Sequence, residues 1–457
     1  MTSALASPLA RPHRRSHTAL DLVIWLGVYV AAVTIPLFAL LPGAASVQGG
    51  FRWDFAVALG YAGLAMLGVQ FALTARFRLA TAPFGIDIVY YFHRYLAIAA
   101  LVIVMAHWLL LRVWFPDALG SADPSVAPPA MTAGRVSLFL FVLVVLLSLV
   151  RRRLNWNYDH WRMLHALLAT VALALALWHL LGTGRYLDSV WRQALWAAFG
   201  VVWVGLIGYV RLLRPWRVAR APWRVVAVRP EHGRVWTLVL EPPAGVQLAF
   251  APGQFAWLSL RATPFAMREH PFSIASSAER GDHVELSIKE LGDFTATIKS
   301  VQPGEAAWLD APYGTFGIDW HPQSESSVFV AGGIGLAPIL SMLRTLADRG
   351  DRRPLTLLYG NRVWERVAFR EELEALGQRL SLRVVHVLLE PPAEWNGERG
   401  FITQNVLARH LPVAVAERAR CEYFLCGPTP MTTGVERALA ALGVPGARVH
   451  SEIFDWV

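Results

Sequence analysis

Four histidines lie inside apolar stretches. His93 and His107 are in YYFHRYLAIAALVIVMAHWLLL (residues 90–111), and His165 and His179 are in LHALLATVALALALWHLL (residues 164–181). In both stretches the histidines are fourteen residues apart, about four helical turns, so the two rings share nearly one helix face roughly 21 Å apart along the axis. An ionisable side chain at membrane depth is costly and is ordinarily held by a partner. If the two helices run in the same direction, His93 meets His165 at one depth and His107 meets His179 at another. Zinc gathers its ligands about a single point, which two separate layers do not provide. Two iron porphyrins, each held between axial imidazoles, suit the layers. Ala97, Ala99, Ala100, Ala172, Ala174 and Ala176 leave room for them. The plainer alternative is that each imidazole bonds within the bundle or reaches a headgroup, and the repeated spacing argues against it. Trp108, Trp178 and Arg112, near the outer ends, read as markers of the membrane boundary.

The chain that must position these residues has 457 of them, 55% hydrophobic and 16% charged, with the apolar excess confined to the first half. Six spans of roughly the 20 residues needed to cross a bilayer are predicted at 20–41, 55–74, 88–111, 136–150, 163–181 and 194–213. A cleaved leader is the alternative for the first, whose long apolar run favours a retained helix. Arg11, Arg14, Arg15, Arg76, Arg78, Arg151–Arg153, Arg211, Arg214 and Arg217 gather on one side, which the positive-inside rule makes cytoplasmic. The opposite side includes the Pro- and Ala-rich loop 112–134. The sixth crossing returns the chain to the cytoplasm, so the second half is expected there and the localisation is a multi-pass inner (plasma) membrane. The formal charge of +9 flanks apolar spans and therefore does not point to a nucleic-acid partner. Two cysteines, Cys421 and Cys426, are too few for a disulfide framework or a Cys-ligated cluster.

Short strand-like runs and turns between residues 222 and 312 predict a small β-barrel containing the segment His270-Pro271-Phe272-Ser273. IKELGDFTATIKSV reads as a strand, a turn and a short helix starting near Asp293 and Thr295. From Ser327 the pattern turns α/β: SVFVAGGIGLAPILSMLRTLAD is a strand, a glycine turn and an amphipathic helix. Gly333-x-Gly335-x-x-Pro338 is similar to a dinucleotide turn, with Pro in place of the third small residue. Further strands at PLTLLYGNR, LRVVHVLLE and EYFLCGPTPM predict an open parallel sheet, with Cys426-Gly427-Pro428 at its C-terminal edge, where ligands bind.

HPFSIASS, LGDFT, GGIGLAP, LYGNR, CGPTPM and the terminal SEIFDWV resemble the ferredoxin–NADP-reductase type of flavoprotein. Joined to a six-span, four-histidine domain, the whole resembles the ferric reductase and NADPH oxidase superfamily, and is most similar to bacterial single-chain members. The resemblance implies FAD held by His270, Pro271, Phe272 and Ser273, with Ser273 near the reactive flavin nitrogen, and Gly292 and Thr295 at the FAD pyrophosphate. It implies NADPH (or NADH) at Gly333, Gly335 and Pro338, with Cys426 and Gly427 near the nicotinamide. Phe454, or alternatively Trp456, would cover the flavin. Ser273, Cys426 and Phe454 are thus the expected catalytic positions. His270 stands where many soluble relatives carry Arg. Arg362 and Arg366 are candidates for a 2′-phosphate, opposed by Glu365 between them.

The expected fold class is therefore a multi-domain membrane protein. A cytosolic tail (1–19) precedes a six-helix haem-binding transmembrane bundle (20–217), a cytosolic FAD-binding β-barrel (218–322) and an α/β NAD(P)H-binding domain (323–457). The expected cofactors are FAD, NADPH or NADH, and two b-type haems on His93, His107, His165 and His179. Electrons would leave at the outer face for oxygen, giving superoxide. The alternatives are a ferric or cupric chelate and a periplasmic redox protein. The lipid bilayer is the remaining partner.

Overall fold

The computed structural model describes residues 18–38, 50–76, 85–151 and 153–453. Phe454 and Trp456, the two candidates for covering a flavin, lie outside the described residues. The chain divides into two compact units, His17–Arg217 and Val218–Val457.

The first unit is helical: α1 (Thr18–Phe38), α2 (Gly50–Thr74), α3 (Gly85–Trp114), α4 (Pro129–Val150), α5 (Tyr158–Thr183) and α6 (Val190–Gly208). The last continues through a π turn, Tyr209–Leu213, into Arg214–Ala219. Among the described residues, five helices (α2 to α6) are long and apolar enough to cross a membrane, and the apolar part of α1 is shorter. Two helices begin well before the predicted spans 136–150 and 163–181, and local chemistry explains both. Pro129 sits in the first turn of α4, where its fixed φ suits a helix start and its missing N–H leaves no bond unmade. Asn157 caps α5, its Oδ1 accepting from the backbone N–H of Asp159 and His160 at 3.0 and 3.3 Å. The polar first turn YDHWR hides this start from an apolar count.

Helix α2 is the most enclosed, burying Trp53, Ala56, Tyr61, Leu64, Leu67 and Gln70 among others. Its glycines permit that enclosure. A Cβ built at Gly63 would stand 2.3 Å from Val104 of α3, and one at Gly68 2.1 Å from the indole of Trp203 on α6. Helices without a water-driven force between them depend on such close approach. The outward faces carry exposed apolar side chains such as Val201 and Val204, as a lipid-facing surface does.

The second unit holds two six-stranded sheets. The first comprises β1 (Trp223–Glu231), β2 (Val235–Glu241), β3 (Phe255–Leu260), β4 (His270–Ser273), β5 (Val284–Lys289) and β6 (Ala306–Tyr313), in the order β4-β3-β6-β1-β2-β5 with antiparallel neighbours. Just beyond β4, Ile274 bridges Leu286 of β5, so the two edge strands meet. Ile274, Leu286, Leu238 and Leu258 fill the interior. A short helix, α7 (Asp293–Thr297), follows β5.

The second sheet comprises β7 (Ser326–Gly332), β8 (Leu355–Asn361), β9 (Leu382–Leu388), β10 (Glu398–Arg399), β11 (Cys421–Gly427) and β12 (Val449–Ile453). All pairs are parallel, in the order β10-β9-β8-β7-β11-β12. The order reverses between β7 and β11, and the crevice at such a switch point is where open α/β sheets bind ligands. Helix α8 (Leu336–Asp348) leaves this point and packs its apolar face on the sheet.

Candidate functional site

In the helical unit, His93 and His107 lie on α3, and His165 and His179 on α5. The His93 and His165 ring centres are 6.2 Å apart. That is roughly the spacing left when two imidazoles share one metal at about 2 Å from each nitrogen. Each of the four rings has its Nδ1 engaged. His93 Nδ1 is 3.0 Å from Gln70 Oε1, and His107 Nδ1 is 2.7 Å from Ala56 O. His165 Nδ1 is 3.2 Å from Ser148 Oγ, and His179 Nδ1 is 3.0 Å from Ala130 O. A ring whose Nδ1–H is given to an oxygen presents Nε2 as the ligand atom, the tautomer that a metal-bound imidazole needs. Small residues frame two of the rings: a Cβ at Gly60 would lie 2.9 Å from His107 Nδ1, and one at Gly134 2.6 Å from His179 Nδ1. This donor set fits axial ligation of a haem iron.

On the first sheet, His270 to Ser273 form β4, paired with Phe255–Leu258 of β3. The His270 ring stacks on Phe294 with centres 3.9 Å apart, and Phe272 lies near the same ring at 5.9 Å. Ser273 is buried, and its Oγ has no hydrogen-bond partner among the described residues. A buried hydroxyl without a partner costs free energy unless a ligand completes it, and in this place it fits a flavin nitrogen. Thr295 is already engaged. Its Oγ1 accepts from the backbone N–H of both Leu291 and Gly292 at 2.9 Å, closing the turn that opens α7.

On the second sheet, Gly333 adopts φ 53° in the turn after β7, a conformation that favours glycine. A Cβ at Gly335 would lie 2.1 Å from the carbonyl oxygen of Cys426, so the turn after β7 packs backbone to backbone against the end of β11 at the switch point. A Cβ at Gly427 would lie 2.6 Å from the end of the Met431 side chain and 3.1 Å from the backbone nitrogen of Gly332. Pro338 falls in the first turn of α8, where a proline is tolerated. The Cys426 side chain is fully buried, and burial followed by nearby Glu452 pushes its thiol well above the usual range. Its reach toward a ligand in this structure is therefore through the backbone at the strand end. Arg362 is paired with Glu390 at 2.8 Å, whereas exposed Arg366 makes no ion-pair contact among the described residues and acts on Glu390 only at longer range.

Lys289 was not legible as a site residue. It ends β5, and its Nζ lies 3.5 Å from where a Gly333 Cβ would be, so a cation from the first sheet stands over the glycine turn of the second. Burial, and then nearby Arg366, holds its ammonium below the usual lysine range. A half-buried lysine aimed at an anion-binding turn is the signal, and only the tertiary fold supplies it. Arg344 on α8 joins the same two sheets, donating to Glu285 at 2.7 Å, to the carbonyl of Ala275 at 2.9 Å and to Glu372 at 2.6 Å.

Comparison with known proteins agrees with this organisation. Residues 59–176 match the family described as ferric reductase like transmembrane component. Residues 222–325 match an FAD-binding domain, and residues 329–437 an oxidoreductase NAD-binding domain. The chain is 34% identical over 242 residues to the reductase component of propane 2-monooxygenase from Mycolicibacterium smegmatis, covering 50% of this chain and 66% of that one. It is 34% identical over 239 residues to ferredoxin–NADP reductase B from Sorangium cellulosum, covering 51% and 96%. NADH-cytochrome b5 reductase 1 from Pyricularia oryzae is 31% identical over 189 residues, covering 40% and 60%. The chain is an oxidoreductase with FAD- and NAD-binding domains, and it belongs to the ferric reductase/NADPH oxidase-like architecture, in which a ferric-reductase-like membrane component is joined to a dehydrogenase of the ferredoxin–NADP-reductase type.

Proposed function

We propose that this membrane oxidoreductase carries electrons from cytosolic NADPH to an acceptor on the far side of the bilayer, through FAD and two bis-histidine haems held at His93/His165 and His107/His179. The observation that carries the proposal is the set of four Nδ1 contacts, which leaves four Nε2 atoms as ligands on two helices. When bound, FAD accepts a hydride and haem iron relays single electrons, so the protein's part is to hold, orient and insulate its cofactors. Ser273 Oγ donates to the flavin edge, and His270, Pro271 and Phe272 line its seat. Gly292 and Thr295 shape the turn beside the FAD pyrophosphate. Gly333, Gly335, Pro338 and Gly427 let the dinucleotide approach the backbone, and Cys426 closes the strand beneath the nicotinamide. Lys289 neutralises the dinucleotide's phosphate charge. Arg366, which makes no ion-pair contact among the described residues and acts on Glu390 only at longer range, is the better of the two arginines for a 2′-phosphate, and this favours NADPH over NADH. Phe454 is the proposed cover of the flavin.

The reading includes α1 as a sixth span, a first sheet curled into a flavin-binding barrel, and boundaries at 20–217, 218–322 and 323–457. It also places the dehydrogenase half on the cytoplasmic side of the inner membrane. Oxygen is the preferred acceptor, giving superoxide, because haem held by His107 and His179, with an imidazole from each helix, would supply single electrons to an outer acceptor rather than a site for binding it. The match to a ferric-reductase-like component favours a ferric chelate as the second reading. Purified, FAD-loaded protein is to be reduced anaerobically with NADPH while haem absorbance is followed, then mixed with aerated buffer. Fast haem reoxidation with superoxide supports the oxidase. Haem that stays reduced in oxygen but reoxidises with a ferric chelate assigns the metalloreductase.

A further inference from the structure

A second cluster of ligand-type side chains lies away from the sites described above. His321 follows the turn Ile318–Trp320, Glu422 is the second residue of β11, and His450 is the second residue of β12. Glu422 stands at the N-terminal end of its strand, roughly 17 Å along it from the Gly427 end that faces the switch point. One ligand atom from each residue lies within 4.8 Å of the other two. A single carboxylate oxygen serves both rings: Glu422 Oε2 is 2.8 Å from His450 Nε2 and 3.8 Å from His321 Nδ1. The other oxygen, Oε1, is taken by Arg448, which fixes the carboxylate's rotation. The two imidazoles lie with centres 4.0 Å apart, tilted 32° to one another.

A hydrogen bond accounts for His450 and Glu422. It does not account for His321, whose nitrogen points to the same oxygen from beyond hydrogen-bond range. We infer that His321, Glu422 and His450 bind one borderline divalent cation of the zinc class. Two imidazole nitrogens and a carboxylate oxygen suit zinc, cobalt or nickel, whereas magnesium and calcium prefer all-oxygen shells. The carboxylate side chain is only 4% exposed, while the His321 and His450 side chains are 18% and 22% exposed. The oxygen thus forms a floor, and water can complete the shell from the open side. Arg448 acts as the outer partner that orients a ligating carboxylate. The ion joins three segments distant in sequence: the turn leading into β7, strand β11 and the terminal strand β12. It therefore pins β12, which is held to the sheet on one side by β11.

The test uses the full-length, haem- and FAD-loaded protein in detergent, stripped with EDTA and desalted. Zn2+ is titrated by calorimetry, and thermal unfolding is followed with and without excess Zn2+. Two variants accompany it: His321→Ala on the turn, and His450→Gln, which keeps a hydrogen bond to Glu422 but lacks an imidazole. The expected result is one equivalent of Zn2+ that is absent from both variants, and a zinc-dependent rise in melting temperature seen only in the unsubstituted protein. Variants that bind the same equivalents as the unsubstituted protein, or an unsubstituted protein whose melting ignores Zn2+, overturn the inference. Zinc taken up by other surface histidines would be unchanged in the variants and counts against it.

Discussion

Gly60 of α2 lies directly against the imidazole of His107 on α3, and a methyl group at Gly60 would sit 2.9 Å from both Nδ1 and Cε1 of that ring. The contact has a counterpart in the other helix pair, where Gly134 of α4 faces His179 of α5 at 2.6 Å. In each case the residue four positions earlier, Ala56 or Ala130, supplies the carbonyl that meets Nδ1. Gly60→Ala and Gly134→Ala are therefore expected to displace the ring and weaken haem at the His107/His179 layer alone. Haem content measured as pyridine haemochrome should fall by about half in each variant, as in His107→Ala, while the absorbance of the other haem persists. Equal loss of both haems would contradict the two-layer reading.

Gln70 holds His93 from within α2, its Oε1 3.0 Å from Nδ1. Gln70→Leu preserves volume and removes that acceptor. The His93/His165 haem is expected to bind on the order of tenfold more weakly, the usual cost of losing an outer hydrogen-bond partner of a metal-bound histidine. Haem retention on dilution measures it, with Ser148→Ala as the matching change beside His165.

These contacts also show where sequence reasoning reaches its limit. The paired histidines, the strand His270–Ser273 and the glycine turn were all legible because each is a local pattern or a simple period. The partners of the histidines were not, since Ala56 and Ala130 act through backbone carbonyls that any residue carries. Lys289 reads as the end of an ordinary strand, and its place over Gly333 exists only once two sheets meet. The early starts of α4 and α5 were missed because capping chemistry at Pro129 and Asn157, not hydropathy, sets them.

Ser273 offers a test that separates function from folding. Its Oγ bonds to nothing among the described residues, so Ser273→Ala leaves no partner stranded and should change thermal stability little. Removing one donor aimed at a reacting centre should slow flavin reduction by roughly 10²-fold. Stopped-flow bleaching of the flavin by NADPH, alongside a melting curve, checks both halves.

Lys289→Met is expected to raise KM for NADPH far more than it lowers kcat, because the lost charge serves the dinucleotide rather than the transfer. Burial and then Arg366 lower the Lys289 pKa, so the cation is lost at a pH below that of a free lysine. NADPH affinity should fall as pH rises through that lowered value, and binding of the anionic dinucleotide should take up a proton. In the same window the unfolded chain binds more protons than the native one, so this residue's contribution to stability increases with pH. Calorimetry in buffers of different ionisation enthalpy detects the proton uptake, which Lys289→Met should abolish.

Arg344 of α8 bonds Glu285 of β5 on the first sheet and Glu372 on the helix Arg370–Arg379 beside the second, with the Arg344 and Glu285 side chains 16% and 8% exposed. Burial alone would raise the Glu285 pKa, but Arg344 and Arg229 together bring it below the usual glutamate range. A carboxylate with a depressed folded pKa contributes stability above its unfolded value and loses it as pH falls through the folded one. Arg344→Met leaves Glu285 with half-exposed Arg229 and with His283 at 3.6 Å. It should destabilise the Val218–Val457 unit by roughly 3 kcal/mol, the order expected when one member of a buried pair is removed. The gap between the two proteins should narrow as pH falls below about 4, where Glu285 becomes protonated in the unfolded chain. Denaturant unfolding followed by flavin release at neutral and acid pH measures that gap. A gap independent of pH would show that Arg344 acts through packing rather than through its charge.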